Sequence, residues 1–112
     1  MLLCTKQGFF SIVQKSSGEF HIRARVRRDL ENLKAGAEIK RRIIVTKDAD
    51  YRYRMVVIHA DVIVALAYLA GTINYSNFKA EVAKMDDQRA KLATYQEIEL
   101  LTAKFQKTRG RK

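Results

Sequence analysis

The sequence contains no proline, only five glycines and a single cysteine among its 112 residues. A chain so poor in proline and glycine is not collagen-like, proline-rich or dominated by a flexible linker. The lone Cys4 excludes an intramolecular disulfide and a metal site built from several thiolates, which favours a reducing compartment. Because Lys6 interrupts the opening apolar residues, we expect no signal peptide and predict a cytoplasmic protein.

Short motifs for common chemistries are also missing. The glycine-rich phosphate loops G-x-G-x-x-G and G-x-x-x-x-G-K do not occur, and neither does the nucleophile elbow G-x-S-x-G. His21 and His59 are the only histidines, and neither has a second histidine or a glutamate at metal-ligand spacing. Cys4 has only Lys6 nearby to activate it. We therefore assign no catalytic residue and expect no cofactor.

Basic residues are abundant: 22 of them stand against 12 acidic ones, for a net charge of +10. Residues 104–112 (KFQKTRGRK) hold five of the basic residues and no acidic one. An excess of this kind indicates an anionic partner, such as a nucleic acid, and says nothing about the fold. The length fits one domain, which we place at 1–106, followed by a basic C-terminal tail at 107–112.

The first half of the chain has the pattern of a hairpin followed by a short helix. Residues 8–15 (GFFSIVQK) are rich in aromatic and β-branched residues, and residues 19–26 (EFHIRARV) alternate between apolar and polar. Both segments are predicted strands, joined by a turn at SSG. Asp29 is then expected to cap a helix over 30–35 that ends at Gly36.

A second hairpin and a second helix follow. Residues 41–47 (RRIIVTK) and 51–58 (YRYRMVVI) are predicted strands around a KDAD turn. Asp61 is expected to cap a helix that is apolar nearly all round and therefore central and buried. The 19-residue stretch from Met55 to Ile73 has the length of a membrane span, but Asp61 near its middle argues against one.

Two further helices are predicted near the C-terminus. The first begins at Phe78 and carries apolar residues at helical spacing as far as Met85. The second covers 86–107, and its apolar residues form one predicted buried stripe, namely Leu92, Tyr95, Ile98, Leu101 and Phe105.

The element order indicates an α+β fold: a roughly four-stranded antiparallel sheet made of two hairpins, with helices on one face. The nearest named architecture is the ferredoxin-like two-layer sandwich. That fold has the order β-α-β-β-α-β, whereas this chain has two hairpins that are each followed by a helix, so the strand order stays open.

Several blocks carry a resemblance to other proteins. GFFSIVQK, FHIRARVRRDLENL, DADYRYRMVV and INYSNFKAEV together look like a family of short bacterial proteins that has no known function. These blocks cover most of residues 8–83. The resemblance implies a free-standing bacterial protein and transfers no activity, cofactor or catalytic residue to this chain.

A set of basic side chains shares a predicted sheet face. Alternation puts the basic residues of the second and fourth predicted strands on one side, with Arg27 continuing the second, and the candidate anion-binding residues are His21, Arg23, Arg25, Arg27, Arg52 and Arg54. Phe9 or Phe10 would project among them and offer a surface for base stacking. The alternative is an ordinary solvent-facing side of a sheet.

The register of the fourth predicted strand decides between two arrangements. If Arg52 and Arg54 face solvent, then Tyr51 and Tyr53 pack under the helices. If the register is reversed, the tyrosines face solvent instead.

Asp48 and Asp50 are weak candidates for a divalent metal site, because two carboxylates one residue apart can reach one ion. Such a site ordinarily needs a third oxygen ligand. The competing interpretation is a turn in which the aspartates bond the backbone.

Three functions follow from these observations. The first is a non-enzymatic interaction or dimerisation module that binds a partner, such as a second copy, through its sheet. The alternative is a protein that binds nucleic acid or another polyanion through the basic face and the tail. The third is an enzyme whose substrate the sequence does not identify.

Overall fold

The computed structural model describes the backbone of residues 1–109 and the side chains as far as Gln106. In chain order the elements are β1 (Leu2–Thr5), β2 (Gly8–Ser16), β3 (Glu19–Ala24), α1 (Arg27–Ala37), β4 (Ile44–Val45), β5 (Tyr53–Val57), α2 (His59–Gly71), α3 (Phe78–Lys84), a 3₁₀ turn (Arg89–Lys91), α4 (Leu92–Thr102) and α5 (Lys104–Arg109). The chain divides into two compact units, Met1–Asn74 and the residues from Tyr75 onwards. Each unit is described by itself.

The first unit contains an antiparallel sheet of five strands in the order β1-β2-β3-β5-β4. The predicted α+β class and the two hairpins are confirmed. The additional strand is β1, which the sequence did not indicate because its four residues show no alternation of apolar and polar side chains. It joins the sheet by pairing with β2. β1 and β2 thus form a third hairpin, and the resulting sheet differs from the ferredoxin-like order.

Helices α1 and α2 lie on one face of this sheet. The core residues from the strands are Phe10, Ile12, Ile22, Ala24, Met55 and Val57, and those from the helices include Leu30, Leu33, Val62, Ala65 and Leu69. On each strand these residues alternate with side chains that face the other way. The sheet therefore has one face covered by helices and one open face.

Helix α2 differs from the fully buried helix that its composition predicts. Only Val62, Ala65 and Leu69 are buried along its 13 residues, while Ile63 and Val64 are 58% and 47% exposed. The prediction was wrong because two helices share one small sheet, so each buries a single stripe. Among the helices that the structure describes, none combines the length and the apolar character needed to cross a bilayer.

The second unit packs α3 against α4. The Asn77 side chain caps α3 by accepting a hydrogen bond from the amide of Ala80 at 2.9 Å, and the ring of Phe78 lies 5.2 Å from that of Tyr95. The predicted single helix over 86–107 is interrupted by the 3₁₀ turn and again at Ala103.

The predicted apolar stripe is correspondingly buried at only one of its residues. Tyr95 is 3% exposed, whereas Leu101 and Phe105 are largely exposed. The seven-residue α3 is too short to cover the far end of the stripe. The predicted tail at 107–112 overlaps the end of α5, and residues 110–112 lie outside the described part of the chain.

Helix α1 is joined to the sheet through a close approach at Gly8. Asp29 is buried and accepts a hydrogen bond from the amide of Phe9 at 3.1 Å. Gly8 has a φ of 156°, and a Cβ atom there would lie 2.4 Å from the Cβ of Asp29. A side chain at position 8 would therefore both strain the backbone and separate α1 from β2. Asp29, which lies in the first turn of α1, thus links this helix to β2.

Replacing Gly8 by alanine should lower the free energy of unfolding by about 3 kcal/mol, because overpacking and a strained backbone both oppose the native state. Urea unfolding followed by circular dichroism measures this. The matched control is Gly71→Ala, since a Cβ atom at Gly71 meets nothing within 4 Å. That change should raise the free energy of unfolding by about 0.5–1 kcal/mol. Equal effects of the two changes would contradict the proposed role of Gly8.

Candidate functional site

The pairing of β3 with β5 determines which side chains reach the open face of the sheet. Ile22 pairs with Met55, and the next pair is Arg23 with Arg54. Since Ile22 and Met55 belong to the core, the two arginines must point to the opposite side. For Tyr53 and Arg54, the first of the two registers considered for the fourth predicted strand is therefore the observed one. We call the residues His21, Arg23, Arg25, Tyr51 and Arg54 the arginine face.

Tyr51 lies between two guanidinium groups. The Cζ atom of Arg23 is 4.5 Å from the centre of the tyrosine ring, and that of Arg25 is 4.2 Å from it. Contacts of a cation with an aromatic ring stabilise by about 0.5–2 kcal/mol each, depending on desolvation. Together they leave Tyr51 only 9% exposed. The two arginines are thus held in place by one ring.

This position of Tyr51 corrects the expectation that both tyrosines pack under the helices. Tyr53 does contact the core. Tyr51 does not, because β5 begins only at Tyr53 and the alternation of a strand does not extend into the preceding turn. Sequence alternation could not reveal the contacts of Tyr51, since turn residues have no fixed period.

The guanidinium groups of the arginine face bond only to uncharged acceptors or to an imidazole. Arg23 donates to the hydroxyl of Ser11 at 2.7 Å, and Arg25 donates to the carbonyl of Asp50 at 2.7 Å. Arg54 donates to the carbonyl of Tyr51 at 3.2 Å. Within the described part of the chain, none of these three arginines forms an ion pair with a carboxylate.

Two features of this face are unfavourable to the folded protein. Arg23 and Arg54 are direct partners on neighbouring strands, and like charges in that position repel each other. The Nε atoms of the same two arginines are buried and have no hydrogen-bond partner. Buried donors without acceptors are rare in folded proteins and costly. The arginine face therefore has donors and positive charge that the protein itself does not compensate.

Among the residues that the structure describes, Glu19 supplies the one carboxylate bonded to the arginine face, and His21 connects it to Arg54. Nη1 of Arg54 lies 3.2 Å from Nδ1 of His21, and Nε2 of His21 lies 2.8 Å from Oε2 of Glu19. Because a guanidinium group can only donate, Nδ1 must accept, and the hydrogen of the neutral ring is on Nε2. His21 is thus bonded on both sides within the protein.

Two predicted site residues lie outside the arginine face. Arg27 does not continue β3, which ends at Ala24. It opens α1, where its Nε is 3.2 Å from a carboxylate oxygen of Glu31. Arg52 is exposed in the hairpin between β4 and β5, and its carbonyl accepts a hydrogen bond from the amide of Thr46.

The two aspartates of the predicted metal site are exposed residues of the same hairpin. The amide of Ala49 bonds to the carbonyl of Thr46 at 3.2 Å, so the predicted turn is present. No group of three or more histidine, cysteine, aspartate or glutamate residues that could hold a metal occurs in the described part of the chain. Asp48 and Asp50 therefore have no third protein ligand of these types.

The open face has an apolar part beside the arginines, which we call the apolar shelf and which consists of Leu2, Cys4 and Phe9. Cys4 pairs with Phe9, and Leu2 pairs with Ser11. Burial raises the pKa of the Cys4 thiol, so the thiol is protonated at neutral pH and is a poor nucleophile. Phe9 is partly exposed, whereas Phe10 lies in the core. The alternation of β2 thus places Phe9 rather than Phe10 beside the arginines.

A cleft of the first unit lies away from this face. It has a volume of about 840 Å³ along α1 and residues 38–43, and its charged lining residues are Arg27, Glu31, Lys34, Glu38, Lys40 and Arg42. Arg27 is paired with Glu31, and Lys34 donates to the carbonyl of Arg41. Four cationic and two anionic side chains line this cleft, so its charge is mixed, unlike that of the arginine face.

His59 and Asp61 contact neighbouring residues of the first unit. The ring of His59 stacks on that of Phe20 at a centroid distance of 4.9 Å. Asp61 accepts a hydrogen bond from the amide of Ile58 at the start of α2 and is 3.0 Å from Nε of Arg41. These contacts position the β5–α2 connection. Asp61 does cap α2, but from the third position of a helix that begins at His59 rather than as the residue that precedes the helix.

Comparison with models of protein families, with curated proteins and with solved structures finds no match to this chain. The resemblance to a family of short bacterial proteins therefore stays a prediction. What the chain does has to be inferred from the geometry of its surfaces.

Proposed function

We propose that the protein binds the phosphate backbone of a nucleic acid, or a similar polyanion, through the arginine face. The observation that carries the proposal is the group of Arg23, Arg25 and Arg54 on one open sheet face without a paired carboxylate. Guanidinium groups bind phosphate oxygens with two parallel hydrogen bonds. An anion placed here would offset the repulsion between Arg23 and Arg54.

The same charges argue against self-association through this face. Two copies placed face to face would bring six guanidinium groups together with only the two Glu19 carboxylates, each already bonded to His21, and like-charge contacts across an interface are strongly unfavourable. The hypothesis of a dimer formed through the open sheet face is therefore less well supported than binding of an anion.

Removing arginines from the face should weaken binding to polyanions and reduce its salt dependence. With about three phosphate contacts, affinity for a single strand should fall about tenfold between 50 and 150 mM salt. The double variant Arg23→Gln/Arg25→Gln should retain about one contact, so that the slope of log affinity against log salt falls by about two thirds. Fluorescence anisotropy with a labelled oligonucleotide measures both quantities.

Arg27→Gln is the matched single-charge control. It removes one positive charge from α1, where Arg27 is paired with Glu31, and should leave the slope unchanged. Arg23→Gln alone is compared with it, and circular dichroism establishes that each variant is folded. A wild-type protein that binds no polyanion at low salt would sink the proposal, as would equal losses from Arg23→Gln and Arg27→Gln.

The second candidate function is self-association through α2. Its outward side carries no charged residue from Val62 to Gly71, and the exposed residues there are Ile63, Val64, Ala67, Ala70 and Gly71. An uncharged surface on a chain of net charge +10 is the place where two copies can approach without repulsion. This observation supports the interaction or dimerisation module predicted from the sequence.

The side chains of this surface fit a two-fold arrangement. The large residues Ile63 and Val64 stand in its N-terminal half, and the small residues Ala67, Ala70 and Gly71 stand in its C-terminal half. Antiparallel pairing of two α2 helices would place the large residues of each copy against the small residues of the other. A helix of this length is only about 20 Å long, so we expect a weak dimer rather than an obligate one.

Ile63→Lys should convert the dimer to monomer, because it would bury an ammonium group in an apolar contact. Sedimentation velocity between about 5 and 500 μM protein measures the shift, a range chosen for a dissociation constant in the micromolar region. Val45→Lys is the control, since Val45 is similarly exposed but lies on β4. A wild-type protein that remains monomeric over this range would exclude self-association as the function.

A further inference from the structure

We infer that the polyanion is an unpaired nucleic acid strand and that one of its bases stacks on Phe9, an inference that rests on the proposed function. Leu2, Cys4 and Phe9 lie on the same open sheet face as the arginines. The face therefore offers two kinds of contact side by side, positive charge from β3 and β5 and uncharged apolar surface from β1 and β2. An unpaired strand presents both phosphates and the flat faces of its bases.

The spacing between Phe9 and the arginines suits a single nucleotide. Ser11 pairs with Arg23 across β2 and β3, so Phe9, two residues earlier on the same strand, is a diagonal neighbour of Arg23. Such neighbours lie about 7–8 Å apart, within reach of long side chains. A base on the ring of Phe9 thus leaves its phosphate near the Arg23 guanidinium group.

Phe9 is fixed in place by the first unit. Its amide donates to the buried carboxylate of Asp29, and its strand partner is Cys4. Gly8, just before it, has the conformation that permits this approach. The backbone of Phe9 is therefore anchored, so stacking of a base requires ordering of the ring but of no further backbone.

Duplex nucleic acid fits this face less well. Its bases are stacked on one another inside the double helix, so their flat faces are not available to the ring of Phe9. The arginines would make their contacts, but the apolar shelf would face sugar and solvent. The face should therefore distinguish a single strand from a duplex, which charge alone would not do.

The test compares a labelled 12-nucleotide oligothymidine, the matching duplex and inorganic polyphosphate, using the full chain and fluorescence anisotropy with competition. Phe9→Ala should weaken binding of oligothymidine by about tenfold, in the range found when a stacking aromatic residue is removed. Its salt slope should not change, because no phosphate contact is lost. Affinity for polyphosphate should be unaffected, and Phe9→Tyr should restore binding of oligothymidine.

Val56→Ala is the matched control. Val56 is exposed on the open face and pairs with His21 rather than with a residue of the apolar shelf, so its truncation should leave all three affinities unchanged. Should Phe9→Ala fail to fold by circular dichroism, Phe9→Leu replaces it. Leucine keeps most of the apolar volume but has no ring to stack on, so the same loss is expected.

The outcomes separate the inference from the proposed function. Binding of oligothymidine that survives Phe9→Ala or Phe9→Leu, or equal affinity for the single strand and the duplex at one salt concentration, would overturn the inference and leave polyanion binding standing. Poly-glutamate serves as an additional competitor, and tighter binding of it than of oligothymidine would overturn the inference in favour of an acidic polypeptide. Absence of binding to any polyanion at low salt would overturn both.

Discussion

The pairing of β3 with β5 is the constraint on which the first unit depends. Ile22 and Met55 oppose each other in the core, and the next pair, Arg23 and Arg54, opposes each other outside it. A slip of one residue would bury an arginine and expose a core residue on one of the strands. The hydrophobic core therefore selects a register that also brings two like charges together. The repulsion between them follows directly from the arrangement that makes the fold stable.

Local contacts make this repulsion tolerable without removing it. Tyr51 separates the guanidinium groups of Arg23 and Arg25, and Ser11 and two backbone carbonyls accept hydrogen bonds from the arginines. These acceptors are uncharged, so they satisfy donors and leave the net charge in place. A paired carboxylate at any of these positions would have stabilised the protein more simply. The observed arrangement, with uncharged acceptors instead of a paired carboxylate, leaves the arginines available to an external anion and so supports the proposed function.

Alternation of apolar and polar residues made β2, β3 and β5 predictable from the sequence, because a half-buried strand has a period of two. The same rule identified Arg23, Arg25 and Arg54 as neighbours. It failed where the period ends: Arg27 belongs to a helix, and Tyr51 precedes its strand. The exposure of α2 was not predictable either, because composition gives the apolar character of a helix but not the number of elements available to cover it.

The two proposed surfaces are compatible within one assembly. Helix α2 packs on the helix-covered face of the sheet, and the arginine face is on the other side. A dimer formed through α2 would leave both arginine faces accessible and directed away from the dimer contact. A long polyanion could then bind both at once, and the second contact would form at a raised effective concentration. Weak self-association and moderate affinity at each face would together give tight binding to long polymers and weak binding to short ones.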